Sequence, residues 1–147
     1  MTQGGGPVEI LLVEDNPGDA RLTREALAQS KIKNNLSHAR DGEEAMAFLR
    51  HEPPFSDAPT PDLVLLDLNL PRRDGREVLE DIKKDPNLRH IPVVILTSSQ
   101  AEEDILRSYR LHANCFITKP VDFEQLTKVV HGIEQFWFTL VRLPPEV

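Results

Sequence analysis

Several polar residues in this 147-residue chain stand immediately after apolar runs. Glu14-Asp15 follows VEILLV, Asp67 follows LVLL, Thr97-Ser98 follows PVVIL, and Thr118-Lys119-Pro120 follows a short apolar pair. Each alone has a plain reading: an acid after a strand is most often a helix cap or a solvated loop residue, and Lys-Pro is usually a turn. Their joint occurrence is harder to attribute to chance, because together they would bring carboxylates, a hydroxyl and an ammonium to one place. Clustered carboxylates repel and raise at least one pKa unless a cation intervenes. A hard divalent ion is the natural solution, and Mg²⁺ uses one or two carboxylates plus waters and a phosphate oxygen. The expected ligands are Asp15 and Asp67, with Glu14 holding a coordinated water and the Asn69 backbone carbonyl completing the set. A carboxylate beside such an ion, with Lys119 as counter-charge and Thr97 as hydroxyl donor, is suited to attack phosphorus. Carboxylate nucleophiles form aspartyl-phosphates, and phosphoryl transfer needs mainly positioning and charge neutralisation.

That chemistry requires elements that place the residues at one edge. Val8–Val13, Leu36–Ala39, Asp62–Leu66, Pro92–Leu96 and Asn114–Thr118 read as strands. Runs such as LVLL lack alternation, as expected of strands covered on both faces. Between them lie helical patterns. Asn16-Pro17 supplies a cap and a first-turn proline for a helix running to about Ser30, with Ala20, Thr23, Ala26 and Leu27 inward. Asp41 with Glu44 has capping-box spacing before Ala45, Phe48 and Leu49. Asp74-Gly75 opens a third helix with Val78, Leu79 and Ile82 inward, while 101–111 and 122–141 read as a fourth and fifth. The segment HEPPFSDAPTP, with four prolines, is a loop. Strand–helix alternation specifies an α/β fold, a parallel sheet with helices on both faces. In such sheets ligands sit beyond the carboxyl ends of the strands, where the polar residues are.

Composition sets bounds. A formal charge of −7 argues against a nucleic-acid binder, which needs a basic patch. The apolar run near the N-terminus is far too short for a membrane span, and it has no basic region before it. The single cysteine, Cys115, fits a reducing compartment. The expectation is a cytoplasmic protein with no nucleic-acid or membrane partner. The expected organisation is a flexible lead over 1–7, one domain over 8–138 and a short tail over 139–147 with no output domain.

The set Glu14-Asp15, Asp67, Thr97-Ser98 and Lys119-Pro120 resembles the receiver domain of two-component response regulators, over nearly the whole chain. The resemblance implies a flavodoxin-like (βα)5 sheet in the order 2-1-3-4-5 and transfer of a phosphoryl group from a sensor histidine kinase to Asp67, with slow self-catalysed loss. It further implies a switch in which Thr97 moves toward the phosphoryl group and Phe116 turns inward. Lys119 would bridge to the phosphate, and the Lys119–Pro120 bond would be cis. Phe116 stands where tyrosine is common in the family. The proline-rich 51–61 loop and GIEQFW at 132–137 with its proline-ended tail resemble the single-domain regulators paired with bacterial phytochromes, which makes a bacteriophytochrome the expected kinase. Ser99 is expected near the path of the hydrolytic water.

On the last helix, Leu126, Val129, Ile133, Phe136 and Leu140 follow a 3-4-3-4 spacing, and Phe123, Val130 and Trp137 recur at sevens. At ~100° per residue these cover about 140°, wider than the ~100° stripe that covers a sheet. One edge of it, with Trp137 and Phe138, is the expected face of a homodimer, and output is expected through contact with a further, unidentified protein. Other classes fit less well. A dehalogenase-type phosphatase needs an acid where Asn69 stands, and a flavin carrier needs a neutral loop where EDNPGD stands. A degenerate receiver serving only as a dimeric scaffold has no need of mutually repelling acids.

Overall fold

The structure, a computed structural model, describes residues 7–29, 33–68, 70, 74–97, 115–119, 121, 124, 125 and 128. Its elements are β1 (Val8–Val13), α1 (Pro17–Ala28), β2 (Asn34–Ala39), α2 (Gly42–Leu49), β3 (Leu63–Asp67), α3 (Gly75–Lys84), β4 (Val93–Thr97) and β5 (Cys115–Thr118). The strands form one parallel sheet in the order β2-β1-β3-β4-β5. The order reverses at β1, the strand from which β2 and β3 depart in opposite directions.

Alternate residues of each central strand enter opposite cores. Leu11, Val13, Val64, Leu66, Val93 and Ile95 pack with α2 and α3. Ile10, Leu12, Leu63, Leu65, Val94 and Leu96 pack with Ala20, Ala26 and Leu27 of α1. Every residue of β3 and β4 is buried, so unbroken apolar runs are what this position in the sheet demands.

The helix starts follow their caps. Asn16 Oδ1 accepts from Asp19 N at 2.9 Å, Asp41 Oδ1 from Glu44 N at 2.8 Å, and Asp74 Oδ1 from Arg76 N at 2.8 Å. The Glu44 carboxylate reaches back to Arg40 N at 2.7 Å, one residue before the cap. Just past the end of α2, His51 at φ 56° makes a left-handed turn in which Glu52 N donates to Ala47 O at 2.9 Å. The 51–61 loop is more than a connector, because Phe55 packs on Phe48, with ring centroids 5.5 Å apart, and joins the α2–α3 core.

Strand limits shift slightly from expectation. β2 starts at Asn34 because Asn34 and Asn35 pair in register with Val8 and Glu9, a tertiary contact that overrides asparagine's poor strand propensity. β3 and β4 each run one residue further, so Asp67 and Thr97 are ladder positions paired with Leu96 and Thr118. Helix 101–111 and nearly all of 122–141 lie outside the described residues.

Candidate functional site

Four strand ends meet at the carboxyl edge. Glu14 follows β1, Asp67 closes β3, Thr97 closes β4, and Lys119 follows β5, as the parallel register requires. Glu14, Asp67 and Thr97 are buried, whereas Asp15 is exposed. The Lys119 ammonium enters this cluster and donates to Asp67 Oδ2 at 3.1 Å and Glu14 Oε1 at 3.3 Å. Backbone geometry fixes its approach, since Lys119 N donates to Thr97 O at 2.7 Å.

The electrostatics follow from burial. Desolvation pushes the Glu14 carboxyl up from 4.5 to about 8, a hydrogen bond with Asp67 and that residue's charge push the same way, and Lys119 and the Asn16 N–H only partly oppose them. Burial alone would lower the Lys119 pKa, but the hydrogen bond to Asp19 and the charges of Asp67 and Glu14 more than offset it, so the ammonium is held above its ordinary value. The pocket is thus short of positive charge. Glu14, Asp15 and Asp67 each offer an oxygen, all within 4.8 Å of one another. An all-oxygen, carboxylate-rich donor set of this size, with one acid forced to hold a proton, fits a hard divalent cation.

Thr97 Oγ1 donates to the Ile117 carbonyl at 3.4 Å, inside the protein. This is a long bond, and giving it up for a better acceptor costs little. Phe116, on β5, is half-buried and packs against the α2–α3 core. The expected residues Glu14, Asp15, Asp67, Thr97 and Lys119 therefore come together. Asn69, Ser98, Ser99, Pro120 with its peptide bond, and the interface candidates Phe123, Leu126, Val130, Phe136, Trp137 and Phe138 lie outside the described residues.

Two site residues escaped the sequence reading. Asp19, in the first turn of α1, accepts from Lys119 Nζ at 2.9 Å. His38, on β2, donates Nε2–H to the Glu14 carbonyl at 2.7 Å and steadies the turn after β1. Proximity of Asp19 to the Glu14-Asp15 pair was the only available signal for the first. No local pattern marks the second.

Comparison with known proteins matches residues 10–131 to the response regulator receiver domain. Response regulator Rcp1 of Synechocystis sp. is 51% identical over 94% of this chain and 94% of its own length. The structure of the Mn²⁺-bound form of Rcp1 superposes with a TM-score of 0.72 at 52% identity, covering 89% of this chain and 94% of that one. The phosphorylated cyanobacterial phytochrome response regulator RcpA gives 0.74 at 53% identity, over 95% of this chain and 99% of the other. The bacteriophytochrome response regulator AtBRR gives 0.81 at 46% identity, over 88% and 94%. Among the described residues, no helix is long and apolar enough to cross a membrane.

Proposed function

The chain belongs to the response regulator receiver family, and on that premise we propose that Asp67 is its phosphoacceptor and that phosphorylation is read out as a changed interaction surface. The observation that carries this reading is the buried Asp67 carboxylate 3.1 Å from the Lys119 ammonium, beside two further acids able to share a cation. One oxygen of Asp67 attacks phosphorus, the bond from phosphorus to the donor nitrogen of a histidine kinase breaks, and the imidazole leaves with its electron pair. Lys119 neutralises charge on the transferred group.

Mg²⁺ would be held by Asp15 and Asp67, with Glu14 and the Asn69 carbonyl assisting, and would supply charge neutralisation for the phosphoryl oxygens. The Mn²⁺-bound form of Rcp1 supports a divalent ion at such a site. Once phosphate is in place, Thr97 exchanges its long bond to Ile117 for a phosphoryl oxygen, and Phe116 on the neighbouring strand repacks. Water attack on phosphorus then slowly returns the free carboxylate.

The similarity to the phytochrome response regulators RcpA and AtBRR supports a phytochrome-type sensor kinase as the donor. The wide apolar stripe over 122–141 supports a homodimer with Trp137 at its edge. Light scattering at tens of micromolar should report a dimer mass, and a monomer would refute that part. The test of the main reading is labelling by acetyl phosphate, with and without Mg²⁺, in the wild type and in Asp67→Asn. Mg²⁺-dependent labelling that vanishes in the variant is expected. No labelling of either protein would leave the scaffold reading in its place.

A further inference from the structure

Lys119 carries three N–H donors, and each has a carboxylate: Asp19 at 2.9 Å, Asp67 at 3.1 Å and Glu14 at 3.3 Å. The three acceptors are not equivalent. Glu14 and Asp67 belong to the group of acids able to share a cation, and Asp19 does not. The side chains of Glu14 and Asp67 are 1% and 2% exposed, against 34% for Asp19. The ammonium therefore spans from the buried acids to the mouth of the pocket, and its shortest contact is the outermost one.

Asp19 is fixed for this task by its own backbone. Its N–H is the group that Asn16 caps at 2.9 Å, so the carboxylate projects from the first turn of α1. A negative charge there is favoured by the helix dipole.

We propose that Asp19 is a positioning residue for Lys119, giving the ammonium a place to stand at the pocket mouth so that it can withdraw from Glu14 and Asp67 when a divalent cation enters. Lysine and the ion compete for the same oxygen lone pairs, and two cations a few ångströms apart repel. Without Asp19, the nearest anions left to the ammonium are the two acids that the ion needs. With it, the ammonium keeps a full-strength partner while the ion takes theirs. In the phosphorylated protein the same ammonium, already at the mouth, faces the incoming phosphoryl oxygens. The inference rests on the reading of Glu14, Asp15 and Asp67 as the cation site.

The test is a double-mutant cycle on Mg²⁺ affinity, read by calorimetry on the unphosphorylated chain, with Asp19→Ala and Lys119→Met singly and together. Asp19→Ala should weaken Mg²⁺ binding about fivefold or more in the wild-type background but less than about twofold in Lys119→Met, since the interaction term of contacting residues is what such a cycle isolates. An equal loss in both backgrounds would mean that Asp19 acts through its own charge and would overturn the proposal, as would no loss in either. Asp19→Glu, which keeps a carboxylate within reach of the ammonium and leaves Lys119 intact, should restore affinity to within about twofold of wild type; failure to do so counts against it. Asp67→Asn separates the two readings. If Mg²⁺ affinity does not fall in that variant, the cation site itself is wrong; if it falls there while Asp19→Ala binds as wild type does, only the role of Asp19 is refuted.

Discussion

Glu14→Gln should make the metal-free protein more stable in mild alkali and leave it almost unchanged in mild acid. The wild-type carboxyl titrates at about 8 in the folded pocket against 4.5 ordinarily, because burial and the shared hydrogen bond with Asp67 disfavour its charged form. Below 4.5 both folded and unfolded chains hold the proton, so the stabilisation from proton retention is fully present there. As pH rises toward about 8, the unfolded chain releases the proton while the fold retains it, and that stabilisation is lost. Each pH unit in that window is worth up to about 1.4 kcal/mol, so the whole gap amounts to a few kcal/mol. Glutamine reproduces the protonated acid. Its carbonyl can accept from Asn16 N, which now donates to Glu14 Oε2 at 3.3 Å, and its amide N–H can donate to Asp67.

The assay is urea unfolding in a chelator at pH 4, 7 and 8.5, comparing midpoints at constant slope. Other titrating groups are common to both proteins and cancel in the difference. The variant's advantage should be near zero at the lowest pH and grow to on the order of 3 kcal/mol at the highest. Saturating Mg²⁺ should reverse it, because the ion stabilises only the state that binds it and glutamine is the poorer ligand. A difference between the two proteins that is constant across pH would refute the assignment of a retained proton to Glu14.

Other perturbations should behave as follows. In Gly75→Ala the new Cβ would lie 2.5 Å from Leu68 Cα and 2.6 Å from Asp67 O; both are backbone, so α3 or the end of β3 must move, costing about 1–3 kcal/mol in urea and slowing acetyl phosphate labelling. Asn16→Ala removes the α1 cap at Asp19 N and should cost about 1 kcal/mol by the same melts. Leu65→Ala, in the fully buried centre of β3, should cost about 2–5 kcal/mol yet leave Mg²⁺ affinity unchanged. Apparent Mg²⁺ affinity should rise with pH and level off above about 8, because the ion must displace the proton that burial holds on Glu14; a titration series at fixed ionic strength checks it.

The strand-end chemistry was readable because it is local. A parallel sheet needs apolar strands, and where LVLL or VVIL stops at a polar residue, both the element and its functional tip are declared within a few positions. Asp67 and Thr97 belong to the ladder itself, which makes their placement as rigid as the sheet. The caps at Asn16, Asp41 and Asp74 were readable for the same reason. The start of β2 was not, since asparagines enter a strand here only because Val8 and Glu9 wait opposite them. Nor was the packing of Phe55 on Phe48, which turns a proline-rich loop into part of the core.

Asp19 and His38 show where local reading stops in the pocket. Asp19 has a complete local explanation as an acid in the first turn of a helix, and that explanation hides a partner 100 residues away. His38 sits among polar residues on the edge strand, and nothing near it in sequence signals the Glu14 carbonyl it reaches. Both hold other functional groups in place, and such residues are specified by the fold's register and not by their neighbours. The ammonium of Lys119 makes the physical point most directly. Three acids, one just after β1, one in α1 and one at the end of β3, converge on one cation, so its position is a balance among them, and changing the least buried one should shift the cation without touching the acceptor carboxylate.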